Sequence, residues 1–253
     1  MLLHNDLLCA LDAVTFAEDA LGFTLDPWQR DALRSPARRQ IWNITRQGGK
    51  STLASIVATH TALFTPASLT LLISPSLRQS SELFRKVAGL MDALKQRPSL
   101  VEDNKLSMTL PNQSRVISLP SSESTVRGFS GVNLIIEDEA SRVGDDLHVA
   151  VRPMLATSDG RLILMSTPAG QRGHFHDLWE NGTEVWQRTM ITADACRRIP
   201  RWFLEEERAT LGDRWYRQEY EGSFEAITGG VFRAEDLALA LENDVEPLFE
   251  EVA

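Results

Sequence analysis

Residues 41–52, IWNITRQGGKST, constrain this chain more than any other stretch. An apolar run over 41–45 reads as a strand and enters a glycine pair. A helix follows over 51–64 with Leu53, Ile56, Val57, Leu63 and Phe64 on one face. Strand, glycine turn and helix in that order make a cradle for phosphate. Glycines let backbone N–H groups approach the oxygens, and the helix N-terminus adds donors and a positive dipole end. In this reading Gln47, Gly48, Gly49, Lys50, Ser51 and Thr52 bind ATP. Lys50 reaches the β- and γ-phosphates, and the Ser51 hydroxyl ligates Mg²⁺. The full phosphate-loop pattern asks for glycine where Ile44 stands, so the motif needs support from elsewhere in the chain.

That support lies some 90 residues on, where VNLIIEDEA (132–140) is a buried strand ending in acids. Mg²⁺ takes oxygen ligands, so Asp138 is assigned to the metal, and Glu139 to orienting or deprotonating the attacking water. Glu137 stands where an apolar residue is more usual, which leaves room for a register shifted by one. Another buried strand, RLILMSTP (161–168), ends in small polar residues. Ser166 and Thr167 there would sense the γ-phosphate from the carboxyl edge of the sheet, where α/β ligands bind. Arg127, in the Gly/Ser-rich loop STVRGFSG, is a candidate arginine finger. Upstream, Asp26-Pro27-Trp28-Gln29 opens a short helix on its proline. Gln29 would hydrogen-bond an adenine edge, with Trp28 or Pro27 packed beside it.

The remaining pattern fits around these motifs. Leu7, Leu8, Leu11, Val14 and Leu21 suit an amphipathic first helix stopped at Gly22. LTLLIS (69–74) is a strand apolar on both faces, a helix covers about 77–96, and KLSMTL and RVISLP form a hairpin across PNQS. A further helix covers about 146–155. Strands alternating with helices predict an α/β fold with a mainly parallel sheet. Residues 1–170 read as the ATPase core and 171–228 as a small C-terminal lid subdomain lined by Phe203, Leu204, Leu211, Trp215, Tyr216, Tyr220 and Phe224. Residues 229–253 read as the approach to a linker. A 43% hydrophobic content supports a full core, no apolar run approaches a membrane span, and Cys9 and Cys196 lack metal-type spacing. The net charge of −9 argues against a free-standing nucleic-acid binder. Arg97, Lys105 and Arg115 are weak candidates for local DNA contact.

Taken in order, these segments resemble the ATPase (motor) domain of the bacteriophage terminase large subunit. LDPWQ is similar to that family's adenine-binding Q motif. TRQGGKS resembles its variant Walker A, with Arg46 in the early basic position that accompanies loss of the first glycine. LIIEDEA resembles its Walker B with the adjoining catalytic glutamate, VRGFSG the segment of the trans-acting arginine, and MSTPAG its coupling motif III. RWYRQEYEGSF is similar to the lid. The resemblance implies a RecA-like P-loop core of the additional-strand class, with LILMST between the phosphate-loop strand and LIIEDE. It further implies hydrolysis of ATP with Mg²⁺, coupled to translocation of double-stranded DNA into a procapsid. Implied partners are the portal protein and the small terminase subunit, in a pentameric ring on the capsid and a monomer in solution, in the host cytoplasm. The family's nuclease domain is absent from this stretch, so no DNA cleavage is expected. A superfamily 2 helicase-like ATPase, a nucleotide-binding adaptor and a nuclease with a decayed P-loop are the competing readings.

Overall fold

The computed structural model describes residues 2–120 and 128–226. Arg127 and the stretch read as a linker approach, 229–253, lie outside the described residues. Helix α1 (Leu2–Leu11) is followed by the single turn α2 (Ala13–Thr15), a π turn over Phe16–Ala20, and α3 (Pro27–Arg34). Then come β1 (Arg39–Ile44), α4 (Lys50–Phe64), β2 (Leu69–Ser74), α5 (Leu77–Ala93) and the short strands β3 (Glu102–Asp103) and β4 (Ser107–Thr109). These lead to β5 (Arg115–Pro120), β6 (Leu134–Asp138), α6 (Asp145–Val151) and β7 (Arg161–Ser166). The last described elements are α7 (Gly173–Asn181), β8 (Trp186–Ile191), α8 (Arg201–Leu211) and α9 (Asp213–Tyr220).

One sheet carries all the described strands in the order β3-β4-β5-β2-β6-β7-β1-β8. The pairs β5·β2, β2·β6, β6·β7, β7·β1 and β1·β8 are parallel, and only β3·β4 and β4·β5 are antiparallel. Strand β7 therefore lies between the phosphate-loop strand β1 and the acidic strand β6, the order expected of an additional-strand fold. Successive side chains of a strand point to opposite faces, so a strand covered on both sides is mostly apolar on both faces. The central strands follow this, with Gln40, Asn43, Thr70 and Glu137 as buried polar exceptions. Trp42, Ile44, Leu72, Ile136, Ile163 and Met165 join a core with α3, α4 and α5. Ile41, Leu71, Ile73, Ile135, Leu162 and Leu164 join a second core with α6 and α7.

Two expectations need correction. Leu7, Leu8 and Leu11 do not form the buried stripe of a first helix; they are exposed, while Val14 is buried as expected and Cys9, Phe16 and Ala17 turn inward beside it. The cause is a break at Asp12, whose carboxylate accepts the Val14 N–H at 3.1 Å and restarts the helix, after which the π turn shifts the phase again. Beyond residue 170 the chain does more than form a helical unit. Strand β8 adds to the edge of the central sheet, pairing residue for residue with β1 from Arg39↔Trp186 to Ile44↔Ile191. Phe224 packs against Phe175 and Trp179 of the second core rather than in the lid. Leu204, Tyr216 and Tyr220, with Ala193, Cys196 and Ile199, make the small third core, and Leu211 and Trp215 stay exposed.

Candidate active site

Strand β1 delivers the phosphate loop to the carboxyl edge of the sheet. The backbone turns left-handed at Gln47 (φ 58°) and again at Gly49 (φ 96°), the residue that caps α4. Alternation of this kind gathers successive N–H groups around one concavity. Gly48 is required on different grounds: a Cβ there would lie 2.5 Å from Ile44 Cγ2 and 2.9 Å from the Thr45 carbonyl oxygen. Gly48→Ala must therefore displace the loop. We expect it to weaken binding of a fluorescent ATP analogue by about ten- to a hundred-fold, the equivalent of roughly 1–3 kcal/mol of overpacking. Unchanged affinity with an unchanged fold would refute this account of the loop.

A cleft of about 590 Å³ opens over the loop, lined by Arg46, Gln47, Gly49, Lys50, Ser51, Thr52 and Glu139, together with Gln79, Lys86, Arg142 and Arg198. Lys50 Nζ lies 3.4 Å from Glu139 Oε1, and Arg142 Nη1 donates to Glu139 Oε2 at 2.9 Å. Glu139 reaches this position because its own backbone is left-handed (φ 51°, ψ 43°), a conformation that costs a non-glycine residue about 1–3 kcal/mol. Asp138, one residue earlier, is buried and accepts the Glu139 N–H at 3.0 Å. Burial and then the Glu139 charge push its carboxyl up to about 6, against the opposing pull of Lys50 and Lys86. A desolvated carboxylate beside a second acid is a fitting donor for a divalent cation.

Behind Glu139, the Ser141 hydroxyl lies 2.7 Å from Ser166 Oγ and donates to the Thr167 carbonyl at 2.8 Å, while Ser166 Oγ is 3.5 Å from Glu139 Oε2. Arg46 turns to helix α9: its Nε donates to Glu219 Oε2 at 2.6 Å. The same carboxylate accepts from Thr167 Oγ1 at 3.3 Å and faces Arg142 Nη2 at 3.7 Å. The Glu219 carbonyl accepts from the Arg46 N–H and the Thr45 hydroxyl. On the other rim, Arg198 Nη2 donates to the Gly48 carbonyl at 2.7 Å and to Asp26 Oδ2 at 2.9 Å.

Of the sequence-assigned residues, the fold gathers Arg46 to Thr52 and Glu139 around one cleft, with Asp138, Ser166 and Thr167 directly beneath. Gln29 is buried under the loop; its Oε1 accepts the Asp26 N–H at 2.9 Å, and its Nε2 sits against Gly49. Trp28 does not line the cleft, but packs on the first core with its Nε1 buried. Sequence reasoning missed Arg142, Arg198 and Glu219. Arg142 is three residues from Glu139 on a tight turn, a spacing open to inspection. Arg198 and Glu219 arrive through tertiary folding from some 150 to 170 residues beyond the loop, and no local spacing announces them.

Glu137 does not mark a slipped register. It shares the face of Ile135, opposite to Ile136 and Asp138, and is fully buried against α6 and α7. Its Oε1 accepts from His148 Nδ1 at 3.1 Å and its Oε2 from His174 Nε2 at 3.0 Å. Burial alone would raise this carboxyl; the two imidazole donors outweigh it and hold Glu137 at about 2.

Comparison with known proteins finds the same fold in phage large terminases. The large terminase of Thermus phage G20c is 23% identical, the match taking in 88% of this chain and 53% of that protein. The chain thus spans about half the length of the curated relatives it matches. The ATPase domain of the Thermus phage P74-26 large terminase superposes with a TM-score of 0.70 at 22% identity, covering 82% of this chain and 96% of that domain. The large terminase of the thermophilic bacteriophage D6E, solved in complex with ATP-γ-S, superposes with a TM-score of 0.61 at 13% identity over 79% of this chain and 51% of its own. The family model for the N-terminal part of the T4-like-virus-type terminase large subunit matches residues 41–239, and the chain belongs to that family.

Proposed function

We propose that this chain is the ATP-hydrolysing motor domain of a phage DNA-packaging terminase, coupling turnover to movement of double-stranded DNA into a procapsid. The observation that carries the reading is Glu139, held in a strained backbone 3.4 Å from Lys50 across the phosphate loop. This arrangement gives a water-activating carboxylate a fixed place opposite the phosphate-binding lysine. Lys50 and the loop amides hold the phosphates, with Gln29 below the loop. Mg²⁺, held by Ser51 and Asp138, would neutralise charge on the phosphate oxygens. Glu139 orients or deprotonates water, and phosphoryl transfer needs little more than such positioning and charge. Arg46, which pairs with Glu219 at 2.6 Å, acts from within the subunit. Arg127 acts on a neighbour's site. Exchange of Arg46 between Glu219 and the γ-phosphate would release the lid helix α9 and the Thr167 hydroxyl together. The D6E relative, solved with ATP-γ-S, supports nucleotide as the ligand. In this role the chain works as a pentameric ring with portal and small-subunit partners in the host cytoplasm. Among the described residues no helix is long and apolar enough to cross a membrane.

Steady-state ATP hydrolysis against protein concentration tests the reading, for the unaltered chain and Arg127→Ala. Specific activity should climb with concentration, and Arg127→Ala should lose about 10³-fold or more in kcat, the contribution of an arginine finger. Concentration-independent activity that Arg127→Ala leaves intact would move the finger role to Arg46. Absence of Mg²⁺-dependent ATP turnover under all conditions would defeat the motor reading itself.

A further inference from the structure

We propose that Glu137, His148 and His174 form a positioning clamp that ties the strand end bearing Asp138 and Glu139 to helix α7, so that the loop 167–172 is gripped at one end by that strand and at the other by the tight turn that follows it. The inference rests on the hydrolytic reading above. At its near end the loop is held by Ser141, through Ser166 Oγ and the Thr167 carbonyl. At its far end His174 is fixed twice, to Glu137 by Nε2 and to Asp145 by both its backbone N–H (2.7 Å) and its Nδ1 (3.0 Å). The γ-phosphate-facing loop therefore cannot shift without transmitting the displacement to the strand that carries the metal ligand and the base.

Packing alone does not call for these groups. The strand neighbours of Glu137 in register are Ile73 and Leu164, both buried and apolar, and a leucine would continue their layer. An ionised carboxylate with no exposure costs several kcal/mol unless fully paired, and both Glu137 oxygens are paired. The three side chains also bring their ligand atoms within 4.8 Å of one another, a spacing open to a metal ion. Ring geometry decides against that. His148 and His174 stack with centroids 4.2 Å apart and planes 11° from parallel. An imidazole nitrogen presents its lone pair in the ring plane, so two rings stacked this way cannot both aim at one ion. A carboxylate, with one oxygen for each ring, does span them.

None of the three lines the cleft, so they are positioning residues. The test compares ATP turnover and thermal midpoint for His174→Leu, His174→Gln, and a variant with Glu137, His148 and His174 all changed to leucine. His174→Leu should lower kcat on the order of tenfold or more, as misplacement of reacting groups by about 1 Å does. KM for ATP should stay within about twofold, because the phosphate loop is untouched. His174→Gln, whose amide still donates to Glu137, should recover most of kcat. The triple-leucine variant removes the buried charge and should regain the thermal midpoint but not the turnover. Full turnover by that variant would reduce the cluster to packing and overturn the proposal. So would a transition metal that copurifies in stoichiometric amount and is lost in His174→Leu. Failure of the unaltered chain to hydrolyse ATP defeats the motor reading and this inference with it; normal turnover in every variant defeats this inference alone.

Discussion

Glu139→Gln should lower kcat for ATP hydrolysis by about 10²–10⁴, the range a positioned general base contributes, while nucleotide still binds. The amide keeps the shape and left-handed backbone but cannot take a proton. Binding should hold or tighten, for a specific reason. Glu139 lies 3.4 Å from Lys50 and 2.9 Å from Arg142. Removing its charge frees both cations to meet phosphate. Phosphate release and calorimetric titration with a non-hydrolysable analogue separate the two effects. Equal loss of binding and turnover would show that Glu139 holds the loop together rather than serving the chemistry.

Asp138→Asn should separate stability from function in the opposite direction. The sign follows from the raised carboxyl. Below about pH 4 the group is protonated in both folded and unfolded chains and has no effect. Between its ordinary value of 3.8 and about 6 the unfolded chain ionises first, and folding stability falls. Above about 6 the whole cost is in place, roughly 3 kcal/mol. Asparagine removes the charge and keeps an oxygen for the Glu139 N–H. At pH 7.5 the nucleotide-free variant should melt several degrees higher than the unaltered chain, at about 2–4 °C per kcal/mol for a chain of this size. The gap should close as the pH drops through about 5. The same variant should lose most of the Mg²⁺-dependent part of its nucleotide affinity. A lower melting point would mean that Asp138 is held by partners stronger than its burial cost.

The sheet was largely legible in the sequence because its strands are buried on both faces. LTLLIS, LII and LILM are apolar runs with few other readings, and the glycine pair before Lys50 fixed where the loop must stand. Strand β8 was not legible. WQRTMI lies on an edge, with Gln187 and Met190 exposed, and therefore lacks the apolar continuity that marks its neighbours. Glu137 was visible as an anomaly but not as a clamp, since its partners come from two helices that only the fold brings over that face. The residues at the carboxyl edge that come from the phosphate loop and from the ends of β6 and β7 were readable from spacing. Glu219 and Arg198 owe their place to the path of the chain after β8, which no periodicity encodes.

That path has a mechanical consequence. Strand β8 is hydrogen-bonded to β1 as far as Ile191, whose carbonyl accepts the Thr45 N–H at 2.9 Å. The chain then makes its excursion through α8 and α9 and comes back to the same strand end. There the Glu219 carbonyl accepts from Thr45 Oγ1 at 3.2 Å, and Gly222 accepts from Asn43 Nδ2 at 2.7 Å. The helical unit is thus a closed loop with both feet on the root of the phosphate loop, more a handle than a flap on a hinge. Residues 192–218 are anchored to Asn43–Thr45 at both ends, and Arg198 adds a third tie through the Gly48 carbonyl and Asp26.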